Sequence, residues 1–124
     1  MNQLIENSAD EIEKTEEQYE YEREQIELMF PDAKFEIAID LEYFDDIITE
    51  RNNIVIKHDY GCYCYDNCKR KTDWFFITGE KLTYKYVIGE LIRQKLVLDC
   101  NHRFVEGFYK HPKSNCQFEI WVGS

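Results

Sequence analysis

The side chains in this sequence that are best suited to metal binding or catalysis are thiols, and three of the five cysteines lie in one short segment. Cys62, Cys64 and Cys68 lie close together, and Cys100 and His102 follow further along the chain. Zinc in proteins takes four tetrahedral sulfur or nitrogen ligands, which two separate loops commonly supply. These five side chains therefore predict a zinc site, although the C-x-C-x3-C and C-x-H spacings differ from the usual C-x2-C pairs.

Two other interpretations of the same cysteines stay open. Free cysteine packs as a small hydrophobic side chain, so the loop is also explained without any ligand. A reactive thiol requires a lowered pKa, and the basic run at residues 69–71 places positive charge directly after Cys68. Cys100 and His102 would share one face of a strand and form a thiolate–imidazole pair. The corresponding function is a small thiol-dependent enzyme, but no third orienting group is identifiable.

Signatures of common enzyme and nucleotide-binding classes are missing from the sequence. It contains no G-x-S-x-G, no H-E-x-x-H and no glycine-rich phosphate loop. A net charge of −10 opposes approach to a nucleic-acid backbone, although Tyr63, Tyr65 and Trp74 stand near the basic run at residues 69–71. We therefore expect neither a familiar catalytic centre nor direct nucleic-acid binding.

The cellular setting is inferred from the composition of the 124 residues. No apolar run approaches the roughly 18 residues that a membrane span requires. Residues 1–6 lack the basic and apolar regions of a secretory signal. We therefore expect a cytoplasmic protein that is neither secreted nor membrane-bound, in which cysteines stay reduced. The odd number of five cysteines also argues against a disulfide framework.

The charged residues divide the chain into two unlike parts. The first fifty residues hold seventeen carboxylates and three basic side chains, whereas the remaining seventy-four hold eight carboxylates and twelve basic ones. The formal charges of the two parts are −14 and +4, which sum to −10. Like charge at this density is tolerated only where solvent or a partner surrounds it, so the two parts face different surroundings.

An acidic helix is predicted for residues 8–29. Ser8 and Glu11 form a capping box at its start, and Pro31 disfavours helical geometry at the residue before it. A narrow apolar stripe with seven-residue spacing runs along this helix: Ile12, Tyr19 and Ile26. A coiled coil also needs the intervening seam to be apolar, and here that seam is mostly polar. Because such a helix is marginal alone, it must rest on the domain or on a partner.

Residues 32–124 are predicted to form one α+β domain, with residues 1–31 as a separate acidic helix. Five segments are predicted to be strands from their residue patterns: 34–41, 53–60, 73–78, 103–109 and 117–122. A short helix is predicted at residues 42–49, and a longer one is capped by Thr83. The last two strands are expected to form an antiparallel hairpin. This order predicts a mainly antiparallel sheet of about five strands with helices on one face.

Several short segments in the last third of the chain carry a resemblance. They are Thr83-Tyr84-Lys85, Cys100-Asn101-His102-Arg103-Phe104, Glu106-Gly107-Phe108, Gln117-Phe118-Glu119 and Gly123-Ser124. From Leu82 onward the chain resembles small proteins of large double-stranded DNA viruses. The resemblance implies a viral source and the cytoplasm of an infected host cell, and it implies no catalytic role.

The leading hypothesis is a non-catalytic interaction protein that binds a protein partner with a basic surface. Six carboxylates of the acidic helix would steer this association: Glu13, Glu16, Glu17, Glu20, Glu24 and Glu27. Ile12, Tyr19 and Ile26 would anchor it, and the same stripe would otherwise join two copies in a homodimer. The alternatives are a zinc-stabilised structural domain that binds through its cysteine loop, and the thiol-dependent enzyme.

Overall fold

The computed structural model describes residues 15–60, 71–98 and 103–123. Within these ranges the chain forms two α-helices, one short 3-10 helix and seven strands. In chain order they are α1 (Glu16–Met29), β1 (Glu36–Ile37), the 3-10 helix (Leu41–Tyr43), β2 (Ile47–Thr49), β3 (Asn53–Asp59), β4 (Thr72–Thr78), β5 (Leu82–Thr83), α2 (Tyr84–Arg93), β6 (Phe104–Lys110) and β7 (Gln117–Gly123).

Five strands form one sheet in the order β1-β6-β7-β3-β4, and β2 pairs with β5 in a second, smaller sheet. The long ladders, β3 with β4 and β6 with β7, are antiparallel. The short ladders, β1 with β6 and β3 with β7, are parallel, so the sheet is mixed. The predicted α+β class and the C-terminal hairpin are confirmed, and the bounds of β3, β4, β6 and β7 agree with the sequence prediction to within one residue.

The core lies between one face of the five-stranded sheet and α2. Alternate residues of β3 and β4 point into it, as the two-residue period of strands requires. Helix α2 contributes Val87, Ile88 and Leu91, which are fully buried. The buried apolar residues are Phe35, Ile39, Phe44, Ile54, Ile56, Phe75, Ile77, Leu82, Val87, Ile88, Leu91, Leu96, Leu98, Val105, Phe118 and Ile120. We call the sheet face that points into this core the inner face.

Helix α2 begins where the sequence predicted, at Thr83. The Thr83 hydroxyl accepts a hydrogen bond from the Tyr86 N–H at 3.1 Å, which satisfies one of the unpaired donors of the first turn. The helix ends in a Schellman motif, with Lys95 in the left-handed region and the Leu96 N–H bonded to the Leu91 carbonyl at 2.9 Å. This ending turns Leu96 back into the core after the helix has stopped.

Two predicted elements between residues 34 and 49 differ from the structure. The strand predicted at 34–41 is reduced to β1, because only Glu36 and Ile37 pair with β6. The helix predicted at 42–49 is wrong, since residues 47–49 form β2 and pair with β5. Ile47, Ile48 and Thr49 are β-branched and favour extended backbone, and β5 supplies the strand with which they pair.

The acidic helix also begins later than predicted. Thr15 has extended backbone (φ −74°, ψ 164°), so the predicted continuous helix through Thr15 is wrong, and α1 starts at Glu16. Thr15 and Gln18 form the capping box observed here, with Gln18 N–H donating to the Thr15 hydroxyl. The Ser8 cap lies outside the described residues. In the described ranges neither helix is both long and apolar enough to cross a membrane.

Candidate interaction surfaces

Helix α1 is attached to the domain along one side. The Glu22 carboxylate accepts a hydrogen bond from the Leu41 N–H at 3.0 Å, at the start of the 3-10 helix. Ile26 and Phe30 pack against the core, and the Phe30 ring lies 6.3 Å from the Phe44 ring between centroids. These contacts fix which side of α1 faces the domain and which side faces solvent.

The predicted carboxylates of α1 are solvent-exposed, although Glu27 also borders the groove between α1 and the domain. Those that the structure describes are all exposed: Glu16, Glu17, Glu20, Glu24 and Glu27. None of them forms a salt bridge with a basic side chain in the described part of the chain. The last turn of α1 also carries no basic residue, so its negative field extends into solvent. Glu13 and Ile12 lie outside the described residues.

Two large apolar side chains that sequence analysis missed stand among these carboxylates. Tyr21 is 60% exposed and Leu28 is 76% exposed. They are seven positions apart, so they lie on one side of α1 two turns apart, with Glu17 and Glu24 beside them. Their seven-residue spacing is visible in the sequence, but they lie off the longer stripe of Ile12, Tyr19 and Ile26. Apolar residues at this spacing suit insertion into a groove on another protein.

The described part of the predicted stripe lies on the side of α1 that borders the domain, where Ile26 packs against the core while Tyr19 is still 54% exposed. Tyr19 and Ile26 line a groove of about 930 Å³ between α1 and the segment around β1. Basic and acidic side chains both line this groove. The basic ones are Arg23 and Arg103, and the acidic ones are Glu27, Glu36 and Asp40. A partner that contacts Tyr19 and Ile26 must therefore enter this groove, whereas a partner that contacts Tyr21 and Leu28 meets the free side of α1.

All five predicted zinc ligands lie outside the described residues, so the zinc site stays a prediction. Strand β7 runs parallel to β3 and antiparallel to β6, so β3 ends and β6 begins at the same end of the sheet. The described residues that border both cysteine-containing segments, Tyr60, Lys71 and Arg103, are therefore at that end. Cys116 precedes β7 at the opposite end. In the described ranges no three histidine, cysteine or acidic side chains are grouped closely enough to hold a metal.

His58 is the one buried polar side chain found in the described part of the chain. It lies on the inner face of β3 opposite Asp73, and its ring meets the Tyr60 ring edge to face at 4.4 Å. Burial lowers the pKa of His58, and the carboxylates of Asp59 and Asp73 oppose this shift. His58 is therefore a neutral core residue at neutral pH rather than a free acid or base.

The outer face of the sheet, which points away from the core, carries exposed aromatic side chains among its polar ones. Four aromatic side chains on it are between 45 and 71% exposed, and we call them the aromatic face: Trp74, Phe76, Tyr109 and Trp121. In β4, Trp74 and Phe76 alternate with the buried Phe75 and Ile77, so this strand is apolar on both sides. Strands of this kind are typical of sheets covered on both faces.

The strand register shows that the four aromatic residues share one side. Lys57 on β3 is opposite both Trp74 on β4 and Glu119 on β7, and Glu119 is opposite Tyr109 on β6. Trp121 lies two residues beyond Glu119, and its ring meets the Tyr109 ring edge to face at 6.5 Å. The aromatic face thus surrounds Lys57 and Glu119, with Trp74 and Phe76 on β4, Tyr109 on β6 and Trp121 on β7.

Charges of both signs lie within the aromatic face. The Lys57 ammonium lies 5.6 Å from the centre of the Trp74 ring and 3.7 Å from the Asp59 carboxylate. Burial raises the pKa of Tyr109, and the carboxylates of Glu119 and Asp59 raise it further. Glu119 and Asp59 therefore place negative charge near Tyr109, while Lys57 lies toward Trp74 and is paired with Asp59.

No protein-family model, curated protein or solved structure matches this chain. The resemblance of residues 82–124 to proteins of large double-stranded DNA viruses therefore stays a prediction.

Proposed function

We propose that this chain is a non-catalytic interaction protein that recognises a basic surface of a protein partner through the free side of α1. The observation that supports this proposal is the fixed orientation of α1: Glu22, Ile26 and Phe30 attach one side to the domain, and the carboxylates project from the other. A docked helix presents its charges in a constant arrangement, so a partner meets a preorganised surface and loses less entropy on binding.

The carboxylates supply long-range attraction and the apolar residues supply the contact energy. Exposed charges act over a Debye length of about 10 Å at 0.1 M salt, so they accelerate encounter with a basic partner. Tyr21 and Leu28 then lose their exposed surface in the complex, since large buried side chains contribute most binding energy. The expected partner therefore carries lysine or arginine around an apolar cleft.

The test compares two variants that carry the same net charge. One replaces carboxylates of α1 (Glu17→Gln, Glu20→Gln, Glu24→Gln), and the control replaces exposed carboxylates elsewhere (Glu42→Gln, Glu50→Gln, Glu80→Gln). A partner is first captured with the full chain by cross-linking, purified, and titrated against each protein. We expect the α1 variant to bind at least about tenfold more weakly and the control to bind as the parent does.

Salt and the apolar residues give two further readouts. Affinity for the purified partner should fall about tenfold between low and high ionic strength, and Tyr21→Ser with Leu28→Ser should weaken binding without changing this salt dependence. Equal loss in the α1 and control variants would show that only total charge matters. An affinity that does not change with ionic strength would exclude the proposal.

A zinc-stabilised domain is a second candidate, and the topology supports it. The two segments that carry the predicted ligands leave the described domain at the same end of the sheet, as the parallel β3–β7 and antiparallel β6–β7 pairings require. Metal analysis of the purified chain, with Cys116→Ser as the matched cysteine control, tests this directly. About one zinc per chain that is lost in Cys64→Ser and Cys100→Ser supports the site, and less than about a tenth of a zinc per chain excludes it.

A further inference from the structure

We propose that the aromatic face joins two copies of this chain, sheet against sheet, around a twofold axis that passes between Lys57 and Glu119. This interface is separate from the free side of α1, so its test is independent of the function proposed above. It rests on three observations: the apolar character of the outer face, the surface that this face exposes, and the placement of its two charges.

The outer face has the composition of a covered surface. Of the outward positions of β4, the central two hold Trp74 and Phe76, and the neighbouring strands add Tyr109 and Trp121. An exposed strand face ordinarily carries polar side chains at these positions. The aromatic residues are instead of the types enriched at the centres of protein interfaces.

The exposed area matches what a dimer requires. Large aromatic side chains bury about 150–250 Å² each, so four that are about half exposed offer roughly 500 Å² per copy. Two copies together would bury about 1,000 Å² of aromatic surface. A specific interface buries about 1,200–2,000 Å² in total, and the intervening residues supply the remainder.

The charges are arranged for self-association. A twofold interface brings the same patch of both copies together, so each feature must meet its complement. Lys57 and Glu119 are directly opposite each other in the β3–β7 register. Rotation by 180° around an axis that lies in the interface, parallel to the strands and between β3 and β7, places Lys57 of one copy over Glu119 of the other. The same rotation places Trp74 of one copy over Tyr109 of the other, while Phe76 and Trp121 lie on opposite sides of this row of residues and widen the apolar surface around it.

A nucleic-acid strand fits this face less well than a second copy does. Single strands stack their bases on aromatic side chains, but they also need cations for their phosphates. Here Asp59 and Glu119 lie within the face, and the ammonium of Lys57 already faces Asp59 at 3.7 Å. Lys57, Asp59 and Glu119 together carry a charge of −1, which repels a phosphate backbone, and the complementary arrangement of Lys57 and Glu119 favours a second copy of this same surface.

The first experiment is sedimentation velocity on the full chain in reductant, from about 1 µM to 500 µM. We expect a reversible dimer of about 30 kDa, twice the 15.0 kDa of the chain. Phe76→Ser with Trp121→Ser should weaken it at least tenfold. The control, Tyr21→Ser with Leu28→Ser, also removes two exposed apolar side chains and should leave it unchanged. A chain that stays monomeric throughout, or a dimer that only the control disrupts, overturns the proposal.

The second experiment exchanges the charges. Lys57→Glu alone and Glu119→Lys alone should each weaken self-association at least tenfold, because residues 57 and 119 then carry the same charge and repel each other across the interface. Mixing the two variants should restore dimers that contain one copy of each, since both contacts again join opposite charges. Thermal melting confirms that both variants are folded. A mixture that remains monomeric while both variants are folded would overturn the proposed axis, and binding of an oligonucleotide without self-association would assign the face to another ligand.

Discussion

Phe75 and Phe76 are neighbours in β4 that meet entirely different surroundings. Phe75 points to the inner face and is 4% exposed, whereas Phe76 points to the outer face and is 71% exposed. Residue type and strand propensity are the same at both positions, so packing alone distinguishes them. A comparison of the two faces thus separates what stabilises the fold from what the fold presents to a partner.

Replacing Phe75 with alanine is the largest effect that this comparison predicts. Phe75→Ala leaves a cavity in the core and should lower the free energy of unfolding by about 3–5 kcal/mol. Phe76→Ala removes exposed surface and should lower it by about 1 kcal/mol or less. Urea denaturation, at a concentration where sedimentation shows monomers, measures both.

One further variant keeps this prediction testable if Phe75→Ala fails to fold. Phe75→Leu keeps most of the side-chain volume, so its loss of stability should fall between those of the two alanine variants. Similar losses for Phe75→Ala and Phe76→Ala would show that the outer face is already covered in the monomer, and the distinction between the faces would fail.

Protonation of His58 is expected to weaken the inner face as pH falls. Its pKa is lowered in the folded state, so the unfolded chain takes up the proton first. The stabilisation is complete above the unfolded pKa of about 6.5 and is lost as pH falls toward the lower folded value. Stability curves of the parent and His58→Gln between pH 8 and pH 5 measure this difference. Parallel curves would show that His58 does not titrate differently on folding.

The strands that were predicted correctly are those with local signals. Alternation in residues 53–60 and the apolar run in 73–78 follow from the period of strands, and Thr83 marks the start of α2 through its cap. The spacing of Phe44, Ile47 and Ile48 predicts a helix at residues 42–49, and this prediction is wrong because residues 47–49 pair with β5, which is more than thirty residues away in the chain. That contact forms only in the folded protein, and no local sequence pattern predicts it.

The candidate surfaces also differ in how far the sequence alone predicts them. The exposed carboxylates of α1 follow from composition, because that many like charges cannot be buried. The apolar residues were harder to assign: Ile26 packs against the core, while Tyr21 and Leu28 are exposed. In β4 the run at residues 74–77 was seen only as a strand, and its division into two faces depends on which side α2 covers.

Contacts within the outer face should contribute little to the stability of the monomer. The Lys57 ammonium lies 5.6 Å from the centre of the Trp74 ring, and exposed contacts of this kind are worth about 0.5–1 kcal/mol. A double-mutant cycle with Lys57→Met and Trp74→Leu measures the coupling in monomeric protein. We expect about 0.5 kcal/mol. A coupling of several kcal/mol would mean that this contact is desolvated in the monomer, in conflict with an open outer face.

A small gain in stability is expected at Gly107, which lies opposite Trp121 on the outer side of β6. A Cβ added there meets no atom within 4 Å, and alanine reduces the conformational freedom of the unfolded chain. Gly107→Ala should therefore raise the free energy of unfolding by about 0.5 kcal/mol. Gly79→Ala is the matched opposite, because its Cβ would lie 2.8 Å from the Tyr86 ring and should destabilise the fold. A loss of stability at Gly107 would show that its surroundings are already filled, and the aromatic face would then be less open than its exposed side chains indicate.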